Sequence, residues 1–234
     1  MNNNLLRATA APVPPIEFVG GYTVEHTSTS TSASFSLTSL TGGVSAAPDV
    51  GDIVVVLVAT ATGGTASTVA VDSAGYTTIT YQLQSSDSND ITLSAYYKVL
   101  SSAETSVSVS PKGSSGDGSV VIVHVWRNVS ALAGVATATG INTANANPPS
   151  VTPTVAGSEI ITMGAASPYN SGTSYTAGYL SHFVQLTADS AKRSIGGMGS
   201  VSWSSGAYDP AAWTISTDDT RNPWAAVTLI LEPL

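Results

Sequence analysis

Cysteine is absent from the chain, so no disulfide framework, thiolate metal site or thiol nucleophile can exist. Charge is nearly as scarce: charged residues are 9% of the sequence, far below the usual quarter. Only seven residues are Lys or Arg, they are scattered, and the net charge is −8. A phosphate backbone or an anionic membrane surface needs clustered basic side chains, which excludes nucleic acid and membrane as expected partners. The three histidines, His26, His124 and His182, form no His-x-His or His-x-x-x-His pair that would start a zinc site. The most apolar run, Ile53 to Val58, is too short to cross a bilayer. The first residues, Met1 to Arg7, lack the apolar segment of a signal peptide, so synthesis in a cytoplasm without general secretion is expected. The sequon Asn128-Val129-Ser130 is then fortuitous. No 3.6-residue periodicity persists for three turns, which excludes an extended helix.

What remains is a chain of 234 residues, more than a quarter Ser and Thr, with 42% hydrophobic residues. Many of these are β-branched and regularly spaced, which argues against disorder. Ile16–Val19 reads as a first strand stopped by Gly20-Gly21. Tyr22–His26 and Ser34–Leu40 alternate with the period of half-buried strands. Gly51–Thr60 is continuously apolar, as an inner strand buried on both faces should be. Tyr76–Leu83, Ile91–Val99, Ser106–Ser110 and Val120–Trp126 complete a first set, separated by Gly, Asp and Ser turns.

A second set follows in the same order. Gly134–Thr139 and Ser150–Thr154 read as short strands, and Gly157–Ala165 echoes Gly51–Thr60 at an offset of about 105 residues. Ala177-Gly178-Tyr179 echoes Ala74-Gly75-Tyr76, and Trp224–Leu231 echoes Val120–Trp126. The expected fold is therefore all-β: an antiparallel, jelly-roll-like β-sandwich built from tandem pseudo-repeats at about 16–130 and 131–234, sharing one core. Residues 1–15 end in Ala11-Pro12-Val13-Pro14-Pro15, an extended arm without internal hydrogen bonds. Such an arm suits docking on a partner, with Pro12, Val13, Pro14 and Pro15 as attachment residues.

No reaction is announced. There is no Gly-x-Ser-x-Gly elbow, no phosphate-binding loop with its following Lys, and no cofactor motif. The acidic pairs Asp87/Asp90 and Asp218-Asp219, and Asp209, fall in turn-like stretches, where Asp is an ordinary residue. A weak Ca²⁺ site in the Asp87–Asp90 loop is left open, since it lacks the EF-hand spacing. Flat aromatic rings beside small polar residues suit sugar or protein contacts, which singles out Tyr169, Tyr175, Tyr179 and Tyr208. Trp203, Trp213 and Trp224 are expected to fill the core, and His124, on one strand face with Ile122 and Trp126, to pack there.

The ordered set Phe18-Val19-Gly20, Gly51-Asp52-Ile53-Val54, Ala74-Gly75-Tyr76, Tyr96-Tyr97-Lys98-Val99 and Val123-His124-Val125-Trp126-Arg127 resembles small tandem β-sandwich proteins associated with tailed-bacteriophage virions. Tyr76 stands where that family commonly has Trp. The resemblance covers most of residues 16–232. It implies a non-enzymatic virion structural protein, a homo-oligomer attached to other virion proteins through the arm, without cofactor, metal or catalytic residues to transfer. The expected place is the tail tip or fibre region, with adhesion to a host-surface glycan or protein. A head-decoration protein and a free carbohydrate-binding module are the alternatives.

Overall fold

The computed structural model describes residues 13–62, 69–86, 89–141, 145–168, 175–188, 191–215 and 222–234. Among them there is no helix, and so none long and apolar enough to cross a membrane. The protein is an antiparallel β-sandwich.

The first five-stranded sheet contains β1 (Glu17–Glu25), β3 (Ile53–Thr62), β4 (Thr77–Ser86), β5 (Asn89–Val99) and β7 (Gly118–Arg127), in the order β1-β7-β3-β5-β4. A two-stranded flap, β2 (Ala33–Ser36) with β6 (Ser106–Val109), accompanies it. The second sheet contains β8 (Val129–Gly140), β9 (Glu159–Ala166), β11 (Ser181–Ala188), β12 (Ser194–Ser202) and β14 (Trp224–Pro233). Its order, β8-β14-β9-β12-β11, repeats that of the first sheet strand for strand. The short pair β10 (Tyr175–Thr176) and β13 (Thr214–Ile215) is its flap. Each sheet is thus made from one half of the chain.

Strand β3 is the middle strand of its sheet, and every one of its residues is buried. Alternation divides its side chains between two clusters. Ile53, Val55, Leu57 and Ala59 face the second sheet and meet Ile161, Met163, Val227 and Leu229 in one shared core. Val54, Val56 and Val58 point the other way, under Leu37, Val107 and Val109. Both faces of the apolar run are therefore core. In β9 the division is uneven: Ile161, Met163 and Ala165 join the shared core, whereas Ile160 and Ala166 belong to separate small clusters on the outer face.

Trp213 explains part of that outer face. It is fully buried, and its ring lies over Gly164 and Gly197, which are paired across β9 and β12. A Cβ at either glycine would stand 2.7 Å from the Trp213 ring. Trp213 itself precedes β13 and is not a strand residue.

Three local expectations are corrected. Gly20-Gly21 does not end the first strand; β1 continues through it with a bulge after Phe18. The glycines instead let a neighbouring loop approach, since a Cβ on Gly20 would lie 2.8 Å from Leu40 Cβ. Residues 150–154 form no strand, and only Val151 bridges, to Tyr208. Gly134–Thr139 is part of the much longer β8, because Gly134, with φ of 65°, forms a bulge rather than a start.

Candidate functional site

Three parts of the chain converge at one end of the sandwich: the base of the arm, the link between the halves, and the last residues of β14. Asn128 is the link, a single residue between β7 and β8. Its backbone is left-handed, with φ of 63°, a conformation that Asn tolerates better than most residues. Its side-chain amide donates to the Pro15 carbonyl at 2.8 Å, and its own carbonyl accepts from Leu234 N–H at 3.1 Å. One residue thus ties all three segments.

The neighbouring turns differ between the halves. Before β3, Asp49-Val50-Gly51-Asp52 forms a turn closed by Asp52 N–H to the Asp49 carbonyl. Before β9, Val155-Ala156-Gly157-Ser158 closes the same way, and Gly51 and Gly157 both carry positive φ. In the first turn, Arg127 donates in a fork to both Asp52 carboxylate oxygens at 2.9 Å and also reaches Asp49. Asp52 is almost wholly buried, and this contact raises the Arg127 pKa above its usual value. The second turn carries no ion pair of this kind; it presents Val155 and Ala156 instead.

The result is an apolar groove of about 380 Å³ lined by residues 13–15, 155–157 and 233–234. Val13 and Leu234 are 60% and 62% exposed, unusual for large apolar side chains. Of the expected attachment residues, Val13, Pro14 and Pro15 form one wall, while Pro12 lies outside the described residues. Among the described residues, every side chain lining the groove is apolar.

Tyr179 and Tyr208 lie elsewhere, on the outer face of the second sheet. Tyr179 accepts from Trp213 Nε1 at 2.9 Å and donates to the Ala211 carbonyl at 2.6 Å. Burial pushes its hydroxyl pKa up to about 12. Its oxygen is thus committed to holding Trp213, and the residue as a whole is 36% exposed. Tyr208 is half-buried, packs against Val151, Ile160 and Ile230, and has a pKa raised by burial. Tyr175 contributes backbone to β10, its side chain lying outside the described set, as does all of Tyr169. Asp87, Asp218 and Asp219 are outside it as well and Asp209 is exposed, while Asp90 is not a loop residue: it is buried on β5, paired with Ser85 and Thr62.

The histidines do not converge on a ligand. His26 is buried, with Nε2 at 2.8 Å from the Ser110 carbonyl, and burial lowers its pKa. His124 is wholly buried in a cluster with Phe18 and Trp126, and neither ring nitrogen has a hydrogen-bond partner. Desolvation lowers its pKa to about 3. His182 stacks on Phe18 at 4.1 Å between ring centres and remains exposed. Among the described residues, no group of three His, Asp or Glu side chains could hold a metal ion.

In the sequence Asn128 shows only as part of a sequon, and the Asp52–Arg127 lock leaves no local signal. The signal for Asn128 was its position, a turn-forming residue at the junction of the halves. The residues carrying the family resemblance turn out to brace the fold. Besides Asp52 and Arg127, Lys98 lies over the Tyr76 ring, 5.5 Å from its centre, while bonding Glu104 and the Ala74 carbonyl. No family model, curated protein or solved structure matches the chain.

Proposed function

We propose that the protein is a non-catalytic structural component of a tailed-bacteriophage virion, held on the particle through residues 1–15 and the groove at their base. The observation that carries this reading is the apolar groove, in which Val13, Val155 and Leu234 expose apolar surface around the point where the arm meets the sandwich. Exposed apolar surface concentrated in a concavity is a mark of a contact surface. The resemblance of the Gly51-Asp52, Tyr96–Val99 and Val123–Arg127 segments to virion-associated sandwiches supplies the kind of partner, other virion proteins. A tail-tip or fibre position with an adhesive role is proposed, using the outer face around Tyr179 and Tyr208 toward a host-surface glycan or protein.

The test is assembly on particles that lack the endogenous protein. Full-length chain should co-sediment with them, while a chain without residues 1–15, and a Val155→Asp, Leu234→Asp double variant, should not, with unchanged circular dichroism. Truncated and double-variant proteins that still bind would refute the attachment site. Binding to heads instead of tails would replace adhesion by head decoration. A Tyr179→Ala variant should keep assembly and lose cell adsorption.

A further inference from the structure

The sandwich has two rims, and they are finished differently. At one, β1 lies over β11. There the outer edge of β1 is capped by a loop: Gly21 and Thr41 exchange backbone hydrogen bonds at 2.9 Å, and Val44 and Ser45 N–H groups donate to the Phe18 and Val19 carbonyls. Glu17 and Glu25 stand at the ends of that strand, and β11 is bulged at His182, whose φ is 51°. At the other rim, β4 lies over β8. Among the described residues no further strand pairs with the outer backbone edge of either; the Gln84 side chain donates to the Ser85 carbonyl.

Exposed edges are normally blunted by charge, proline, shortness or a cover. Strands β4 and β8 have ten and twelve residues and contain no charged residue and no proline. Bulges interrupt β4 near its start, between Thr78 and Thr80, and β8 at Ser130 and again mid-strand at Gly134, but Val135–Gly140 then pairs regularly with β14. This rim also carries Tyr81, Leu83, Val135 and Ile141, each 38–45% exposed. These are four of the eleven exposed large apolar side chains among the described residues.

We propose that this rim is an interface between two copies of the chain, joined edge to edge with β8 antiparallel to β8 of the second copy. A two-fold axis perpendicular to the sheets pairs an edge strand with itself in antiparallel register, and can bring the two β4 edges together as well. Charge selects a second copy as the occupant. Each chain carries −8 overall, so self-association is least opposed where neither surface has a carboxylate, and both rim strands have none. Pairing over Val135–Gly140 supplies about six backbone hydrogen bonds and continues the second sheet across the dimer. The segment pairs with Trp224–Leu229, at the opposite end of β14 from the groove at Pro233, so dimerisation and particle attachment do not compete. The inference stands whether or not the protein belongs to a virion.

Sedimentation velocity over a wide concentration range tests it with the full chain. The wild type should sediment as a species of twice 23.6 kDa. Thr137→Lys on β8 and Tyr81→Lys on β4 should each abolish the dimer, and Val44→Lys on the capped rim should leave it intact. Hydrogen exchange on the wild type provides a reading independent of the variants: amides within 135–140 should gain protection as concentration rises. A wild-type monomer, a larger assembly, a dimer that persists in Thr137→Lys or Tyr81→Lys or is lost in Val44→Lys, or exchange at 135–140 independent of concentration would each overturn the proposal.

Discussion

Acidification should destabilise the protein through His124 in its shared core. The ring is wholly buried between the sheets, neither nitrogen finds a partner, and burial lowers its pKa from 6.5 to about 3. The unfolded chain takes up a proton near pH 6.5, whereas the folded chain refuses it until about pH 3. Neutral His124 therefore contributes its full stability above pH 6.5, and that contribution is lost as pH falls through the interval. Each pH unit is worth about 1.4 kcal/mol, so lowering pH from 6.5 to 5 should cost roughly 2 kcal/mol from this residue. Burial lowers the His26 and His182 pKa values too, so the total slope is steeper. Urea denaturation at a series of pH values measures it, and a His124→Phe variant isolates the term. Phe fills a similar volume and leaves no unpaired nitrogen, so the variant should match or exceed the wild type at pH 7 and show a slope shallower by one proton. Equal slopes for the two proteins, or an NMR titration placing His124 near pH 6.5, would refute the burial argument.

Three further outcomes follow from packing and pairing. Val55→Asp and Val56→Asp should both abolish folding, read as loss of the cooperative thermal transition, because the two side chains enter different buried clusters and neither offers a charge partner. Asp52→Ala should destabilise by about 2–4 kcal/mol in urea, somewhat below a fully buried pair, because Arg127 keeps 28% of its side chain exposed. Gly164→Ala should cost about 1–3 kcal/mol by forcing Trp213 off its seat, with a matching change in tryptophan fluorescence.

The parts of this fold legible in the sequence are those governed by short-range pattern. Continuous apolarity in Gly51–Thr60 identifies a doubly covered strand, and its echo at Gly157–Ala165 identifies the middle strand of the second sheet. The parts that escaped depend on neighbours distant in the chain. Gly20-Gly21 looks like a strand stop because glycine usually is one; only the loop at residues 41–45 shows that the space is for another backbone. Trp213 looks like a strand residue, but its seat is made by Gly164 and Gly197, each unremarkable alone. Asn128 reads as a sequon fragment until Pro15 and Leu234 are found beside it. The candidate site divided likewise: the proline-rich arm base is visible as composition, whereas its groove needs residues from three separate stretches.

Functional identity rests most directly on where the protein resides. Purified virions from a lysate of cells carrying this gene can be washed, dissociated and analysed by quantitative mass spectrometry beside the cleared supernatant. A virion component should leave peptides of this chain in the particle fraction, in fixed proportion to the major structural proteins and resistant to washing. Peptides confined to the supernatant, with none on the particles, would contradict it.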